Sequence, residues 1–307
     1  AIDNLVEVDI VLSDGSYVKA SENLNSDIFW GIRGGGGNFG IITSFLFNMA
    51  PVHDVFCGLM AWDLKDIQET FTWYDKLMKS ARNDLYGFFA IQTIPPAPPF
   101  PDELHNQKFC GVVWCYYGPK EEFEEAWAPI KAYCEECPPI MDGTHWATLR
   151  ELNATFNELY PAGDQWYWKG DYFDNITSEV IEIHNRKIQD VPTWKSAMHL
   201  YPINGVCHDI SADAMAWNDR QSNYSMVIVG VSQDEEDFDD IKSWATSYWK
   251  ELNPHSSLTG SYVNWMMPDE DKNRVKSAYG SNYEKLLELK RKYDPQNIFS
   301  MNHNITP

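Results

Sequence analysis

Asp27-Ile-Phe-Trp-Gly-Ile-Arg-Gly-Gly-Gly-Gly-Asn-Phe-Gly-Ile-Ile-Thr-Ser-Phe-Leu-Phe47 sets four consecutive glycines between a helix-like stretch and a strand-like one. Glycine lets the main chain take positive φ and approach a ligand closely, because no Cβ stands in the way. Successive amides can then point at one anion. Gly35, Gly37 and Gly40 formally satisfy G-x-G-x-x-G, but a nicotinamide fingerprint follows a strand and opens a helix. Here the order is reversed: Ser26 is a plausible N-cap for two turns over Asp27 to Arg33, while Ile41 to Phe47 is β-branched and aromatic and reads as a buried strand. A P-loop is excluded as well, since no Lys-Ser or Lys-Thr follows the glycines. The plain alternative is a glycine-rich turn that only joins helix to strand.

Outward from this loop, Val6 to Leu12, the turn Ser13-Asp-Gly15 and Tyr17 to Ala20 alternate as a β-hairpin. Near Pro51 the pattern changes to strands alternating with amphipathic helices, for example Leu64 to Ser80 and Lys120 to Glu136. Strand candidates of this middle region are 112–116, 166–168, 198–201 and 224–230, which suggest an antiparallel sheet with helices on one face. The Pro-rich run Ile94 to Pro101 is irregular and expected on the surface. Tyr283 to Tyr293 is an amphipathic helix stopped by Asp294-Pro295.

At 307 residues and 44% hydrophobic content the chain can bury a sizeable core. A formal charge of −21 opposes a polyanionic backbone or an anionic bilayer, which argues against nucleic acid and membrane surfaces as partners. No apolar run reaches the ~18 residues a transmembrane helix requires, so the chain reads as soluble, secreted or cytoplasmic. The beginning, Ala1-Ile-Asp-Asn, runs at once into a strand, so an upstream segment of the same domain is expected to precede it. Val6 to Leu12 would then lack strand neighbours, and these residues alone would neither hold the cofactor stoichiometrically nor turn over substrate. Six cysteines make no disulfide scaffold, and Cys134-Glu-Glu-Cys137 lacks the second pair or histidines a zinc site needs; no metal is expected.

The glycine stretch and the ending Lys292-Tyr-Asp-Pro-Gln-Asn-Ile-Phe-Ser-Met-Asn-His-Asn-Ile305 resemble the berberine bridge enzyme-like flavin oxidases. Leu159-Tyr-Pro-Ala-Gly-Asp-Gln-Trp-Tyr-Trp-Lys169 and Tyr262-Val-Asn-Trp265, a variant of the family's Tyr-x-Asn-Tyr, fall between them in the expected order. The resemblance implies an α+β chain of the vanillyl-alcohol oxidase type: the second part of an FAD-binding domain (residues 1–52), a substrate domain with an antiparallel β-sheet covered by helices (53–270) and a C-terminal return (271–307). It also implies FAD as cofactor, an alcohol or carbohydrate as substrate, and dioxygen as acceptor with hydrogen peroxide formed. The family's covalent flavin-attachment motifs are absent from this sequence.

The same resemblance assigns candidate residues. The cofactor is expected to meet Gly35, Gly36, Gly37, Asn38, Phe39, Gly40 and Ile41, with Asn302 and Asn304 matching the family's closing Asn-x-Asn. Tyr262 is the candidate to contact the reacting hydroxyl, although a tyrosine of ordinary pKa is a weak base at neutral pH. Ser225 and Val227 occupy positions where some relatives carry a Gln or Glu that assists proton removal. Trp166 and Trp168 alternate with Tyr167 and so share one side, as a stacking wall or as core; Arg220 is the candidate to hold a polar substrate or to form an ion pair. The competing reading is a non-catalytic protein whose thirteen Trp and sixteen Tyr line a glycan-binding groove, or an inactive fragment of the oxidase.

Overall fold

A computed structural model describes residues 1–307 apart from Pro99, Glu158, Leu258, Thr259 and Asn302. The chain divides into two compact units. The first comprises Ala1–Pro51, Cys207–Gln221 and Thr259–Pro307; the second comprises Val52–Val206 and Ser222–Leu258.

In the first unit, β1 (Leu5–Val11), β2 (Tyr17–Ser21) and β3 (Ile41–Phe47) form an antiparallel sheet in the order β2-β1-β3. The alternation of Val8 and Ile10 sends both into the core, with Ile28, Phe29 and Trp30 of the helix Ser26–Ile32 and Leu286 and Leu289 of the helix Tyr283–Tyr293. Two expectations are corrected. β1 is the central strand, paired on both sides, because the chain after the glycine loop returns alongside it. β3 is an edge strand and not a buried one: Ile41, Phe45 and Leu46 are each more than half exposed, and the Phe45 and Phe47 rings stack at 5.8 Å. Ser26 is the first helical residue; the position before it is Asn25, at φ 50°, and its carbonyl accepts from Phe29 N at 3.1 Å.

The second unit is built on β4 (Val55–Asp63), β5 (Leu85–Thr93), β6 (Lys108–Tyr116), β7 (Met141–Asp142), β8 (His145–Ala147), β9 (Gln165–Phe173), β10 (Ala197–Pro202) and β11 (Tyr224–Ser232). They form one antiparallel sheet in the order β7-β4-β6-β5-β10-β11-β9, with β8 also on β4. The helices Ile67–Met78 and Phe123–Glu136 fall within the expected amphipathic stretches, and Ser178–Lys187 and Phe238–Leu252 add two more.

Helices cover one face of this sheet. Phe89 of β5 stacks on Phe71 at 4.1 Å, and Trp114 of β6 meets Trp73 and Trp127. A Cβ at Gly230 of β11 would fall 2.8 Å from Ile241, so the strand and the Phe238–Leu252 helix approach at backbone distance. Because strand side chains alternate, Phe88 and Gln92 (β5), His199 and Tyr201 (β10), Ser225 and Val227 (β11), and Trp166 and Trp168 (β9) share the opposite face.

Candidate functional site

The glycine loop divides its glycines by task. Gly35 N closes the preceding helix by donating to Gly31 O at 2.9 Å, and a Cβ on Gly35 would fall 2.3 Å from that carbonyl. A Cβ on Gly34 would strike Trp217, and one on Gly40 would strike Val11 O and Ile10. These three glycines serve close packing. Gly36, at φ 71°, and Gly37 are exposed, and the nearest atoms to a Cβ on Gly36 lie 3.5 Å away. Among the described residues, neither amide enters a hydrogen bond.

Asn38 fixes this loop to the C-terminal segment. Its side-chain Nδ2 donates to Gly35 O at 2.9 Å and to His303 O at 3.3 Å, while its Oδ1 accepts from Ile305 N at 3.0 Å. Lys290 Nζ donates to Asn38 O at 3.0 Å, to Phe299 O at 2.7 Å and to Asp294 Oδ2 at 2.6 Å. Asp294 also accepts from the amides of Ile298 and Phe299. Burial works to raise the Asp294 pKa, but these hydrogen bonds outweigh it and hold the carboxyl below its ordinary value.

Asn304 therefore sits between two residues hydrogen-bonded to the glycine loop, and its own Oδ1 is buried without a partner among the described residues. An orphaned buried acceptor costs on the order of 1–3 kcal/mol and marks a place where a further donor fits. Asn302 lies outside the described residues.

The other assigned positions fall in different settings. Phe39 is 1% exposed and belongs to the core, so its side chain packs the Ser26–Ile32 helix against Leu286 and its neighbours. Ile41 opens the exposed edge strand. Tyr262 is half-buried and precedes the 3-10 turn Val263–Trp265, with its ring edge-on to Trp265 at 5.8 Å.

Arg220 is a correction. Its guanidinium is fully buried, makes a bidentate pair with Asp3 at 2.6 and 3.1 Å, and lies 4.5 Å over the Trp217 ring. The charge is consumed inside the first unit, tying 207–221 to the N-terminal turn, and does not face a substrate.

On the helix-free face of the second unit, Trp166 and Trp168 stand 6.4 Å apart, and Tyr160 packs on Trp166 at 5.5 Å. Trp168 Nε1 has no partner among the described residues. Gln92 Nε2 donates to Tyr160 Oη at 3.0 Å. His199 Nδ1 and Tyr201 Oη lie 3.1 Å apart, both rings against Phe88 at 5.2 and 5.0 Å. Burial pushes the His199 imidazole down to about 4 and the Tyr201 phenol up. His199 is thus neutral near pH 7, with one ring nitrogen able to accept a hydrogen bond. Sequence reading missed Gln92, Tyr160, His199 and Tyr201; the alternation in Met198-His-Leu-Tyr201 was the available signal, since it places the two polar rings on one face.

All six cysteines are free, and burial pushes Cys134 up to about 11, which suits an inert thiol. Among the described residues no helix is long and apolar enough to cross a membrane.

Similarity to known proteins extends along the chain. Residues 261–306 match the family described as berberine and berberine like. An FAD-linked oxidoreductase of Dictyostelium discoideum is 26% identical over 309 residues, covering 99% of this chain and 64% of that protein. A carbohydrate oxidase of Microdochium nivale is 25% identical over 338 residues, covering 100% of this chain and 64% of that protein. The solved structure of Physcomitrella patens berberine bridge enzyme-like 1 superposes with a TM-score of 0.81 at 20% identity, covering 100% of this chain and 66% of that one. The chain spans just under two thirds of the length of these curated relatives, and its fold and C-terminal segment are similar to those of berberine bridge enzyme-like proteins.

Proposed function

We propose that the protein is an FAD-dependent oxidase acting on the hydroxyl of an alcohol or carbohydrate. The observation that carries this reading is that Gly36 and Gly37 present exposed amides and Asn304 a buried Oδ1 with no hydrogen-bond partner among the described residues, in two segments that Asn38 joins through Gly35, His303 and Ile305. Main-chain donors and a carboxamide acceptor suit the polar edges of FAD, so these residues fit the cofactor that the relatives carry. When bound, flavin supplies the hydride acceptor and passes the electrons to dioxygen, giving hydrogen peroxide.

The chain's own residues do the rest. Gly36, Gly37 and Asn304 bind and orient the cofactor, and Lys290, Asp294 and Asn38 keep that rim rigid. Tyr262 Oη takes the substrate hydroxyl proton as the carbinol C–H bond breaks, so that a carbonyl forms. On the second unit, Trp166 and Trp168 provide ring faces, and Gln92, Tyr160, His199 and Tyr201 provide hydrogen-bonding groups for a hydroxylated substrate. Ser225 and Val227, paired with Tyr201 and His199 across the two strands, offer no carboxylate, and this reading gives the proton to Tyr262.

Anaerobic mixing of the flavin-loaded protein with a panel of sugars and primary alcohols tests the proposal. Bleaching of the oxidised flavin spectrum by at least one class, with peroxide formed in air, is the expected result. A flavin that stays oxidised across the panel would contradict it.

A further inference from the structure

The Pro-rich run leads to a feature that the proposed chemistry does not use. Its Phe100 folds over the β4/β6 end of the helix-free face and closes, with the short helix Leu149–Ala154 and the turn after it, a cavity of about 490 Å³. Leu59, Val113, Met141, Leu152 and Phe156 complete an apolar wall. That volume suits a small molecule.

The polar groups at the rim are already engaged. Asp142 Oδ1 accepts from the amide and hydroxyl of Thr144, at 2.9 and 2.6 Å. Glu151 completes a capping box with Thr148, accepting from its amide at 2.8 Å. His145 Nδ1 lies 2.9 Å from Gly143 O. These contacts occupy one atom of each rim group, and the wall behind them is mainly apolar, so a charged ligand entering it would lose its hydration. The lining favours an uncharged apolar group.

It also adjoins the polar patch. Val113 pairs directly with Phe88 across β6 and β5, and Phe88 contacts His199 and Tyr201 on β10. Two strand spacings, ~10 Å, separate β6 from β10. That is the reach of a fused or linked pair of rings bearing a short polar arm.

We infer that the cavity receives the apolar body of the substrate, so that the protein prefers an alcohol carrying a bulky uncharged ring system over a bare sugar. This rests on the reading that the helix-free face binds substrate. Calorimetric titration of the protein with 2-naphthylmethanol, an uncharged fused-ring alcohol, provides the test. One-to-one binding is expected, weakened at least tenfold by Leu152→Trp and by Phe156→Trp, which fill the space from partly buried positions and should leave far-ultraviolet circular dichroism and the cooperativity of thermal unfolding unchanged.

Absence of binding up to the probe's solubility limit would overturn the inference, as would binding that both folded variants retain. Flavin bleaching is recorded in parallel. Binding lost in the variants without bleaching supports the cavity and counts against oxidation of this alcohol. Bleaching by sugars together with no naphthylmethanol binding overturns the cavity inference and leaves the oxidase reading standing.

Discussion

Lys290 and Asp294 form an ion pair at 2.6 Å with neither side chain exposed, and the same Lys290 ammonium reaches the carbonyl of Asn38 in the glycine loop. One buried cation thus joins the last helix, the chain after it and the loop assigned to the cofactor. Removing one partner of a buried pair strands the other charge, at a cost of roughly 3–5 kcal/mol. Lys290→Met should therefore lower unfolding free energy by about that amount in a urea titration. A loss under about 1 kcal/mol would show that the pair does not hold this region together.

Arg220 offers the opposite kind of test. Because its guanidinium is sealed against Asp3 and Trp217, Arg220→Gln should destabilise the protein by about 2–3 kcal/mol while leaving the KM of any turned-over substrate within twofold. A stable variant with a strongly raised KM would restore the substrate-holding role.

The hairpin, the amphipathic helices and the C-terminal helix stop were legible because their periodicity and punctuation are local. β4 and β5 were not. Each runs through nine residues of near-continuous apolar sequence broken by a glycine, Gly58 or Gly87, so neither shows the apolar/polar alternation that identifies a half-buried strand. Lys290 was hidden for another reason: within Leu289-Lys-Arg-Lys292 it reads as one more charge on a solvated face, and only tertiary packing turns it inward. Arg220 before a strand likewise looks like a surface cation until its partner 217 positions earlier in sequence is located. The glycine loop was legible as a cradle, but not which glycines pack and which stay open.

Acid should weaken the second unit through His184. This imidazole is fully buried, with Nδ1 2.6 Å from Tyr248 Oη, and burial lowers its pKa to about 3. The unfolded chain, with an ordinary pKa near ~6.5, binds the proton more readily. Stability from the neutral form is fully present above about pH 6.5 and is lost as pH falls toward about 3, by up to roughly 4–5 kcal/mol. His184→Gln should flatten that slope in denaturation curves taken across the window. An unchanged slope would remove His184 as its source.

Tyr262→Phe should slow anaerobic flavin reduction on the order of a hundredfold, within the range for loss of a general base, with FAD still bound. Wild-type reduction rates across several turned-over alcohols would take Tyr262 out of the mechanism and turn attention to His199 and Tyr201.

The most direct measurement on the cofactor cradle is the flavin-to-protein absorbance ratio of Gly37→Val in the full-length protein beside that of the unaltered full-length protein, purified identically and shown to be folded by circular dichroism. A side chain at this exposed glycine would obstruct main-chain approach to the ligand. The account predicts a flavin ratio well below that of the unaltered protein in a folded variant. An unchanged ratio would contradict it and reduce the four glycines to a turn between helix and strand.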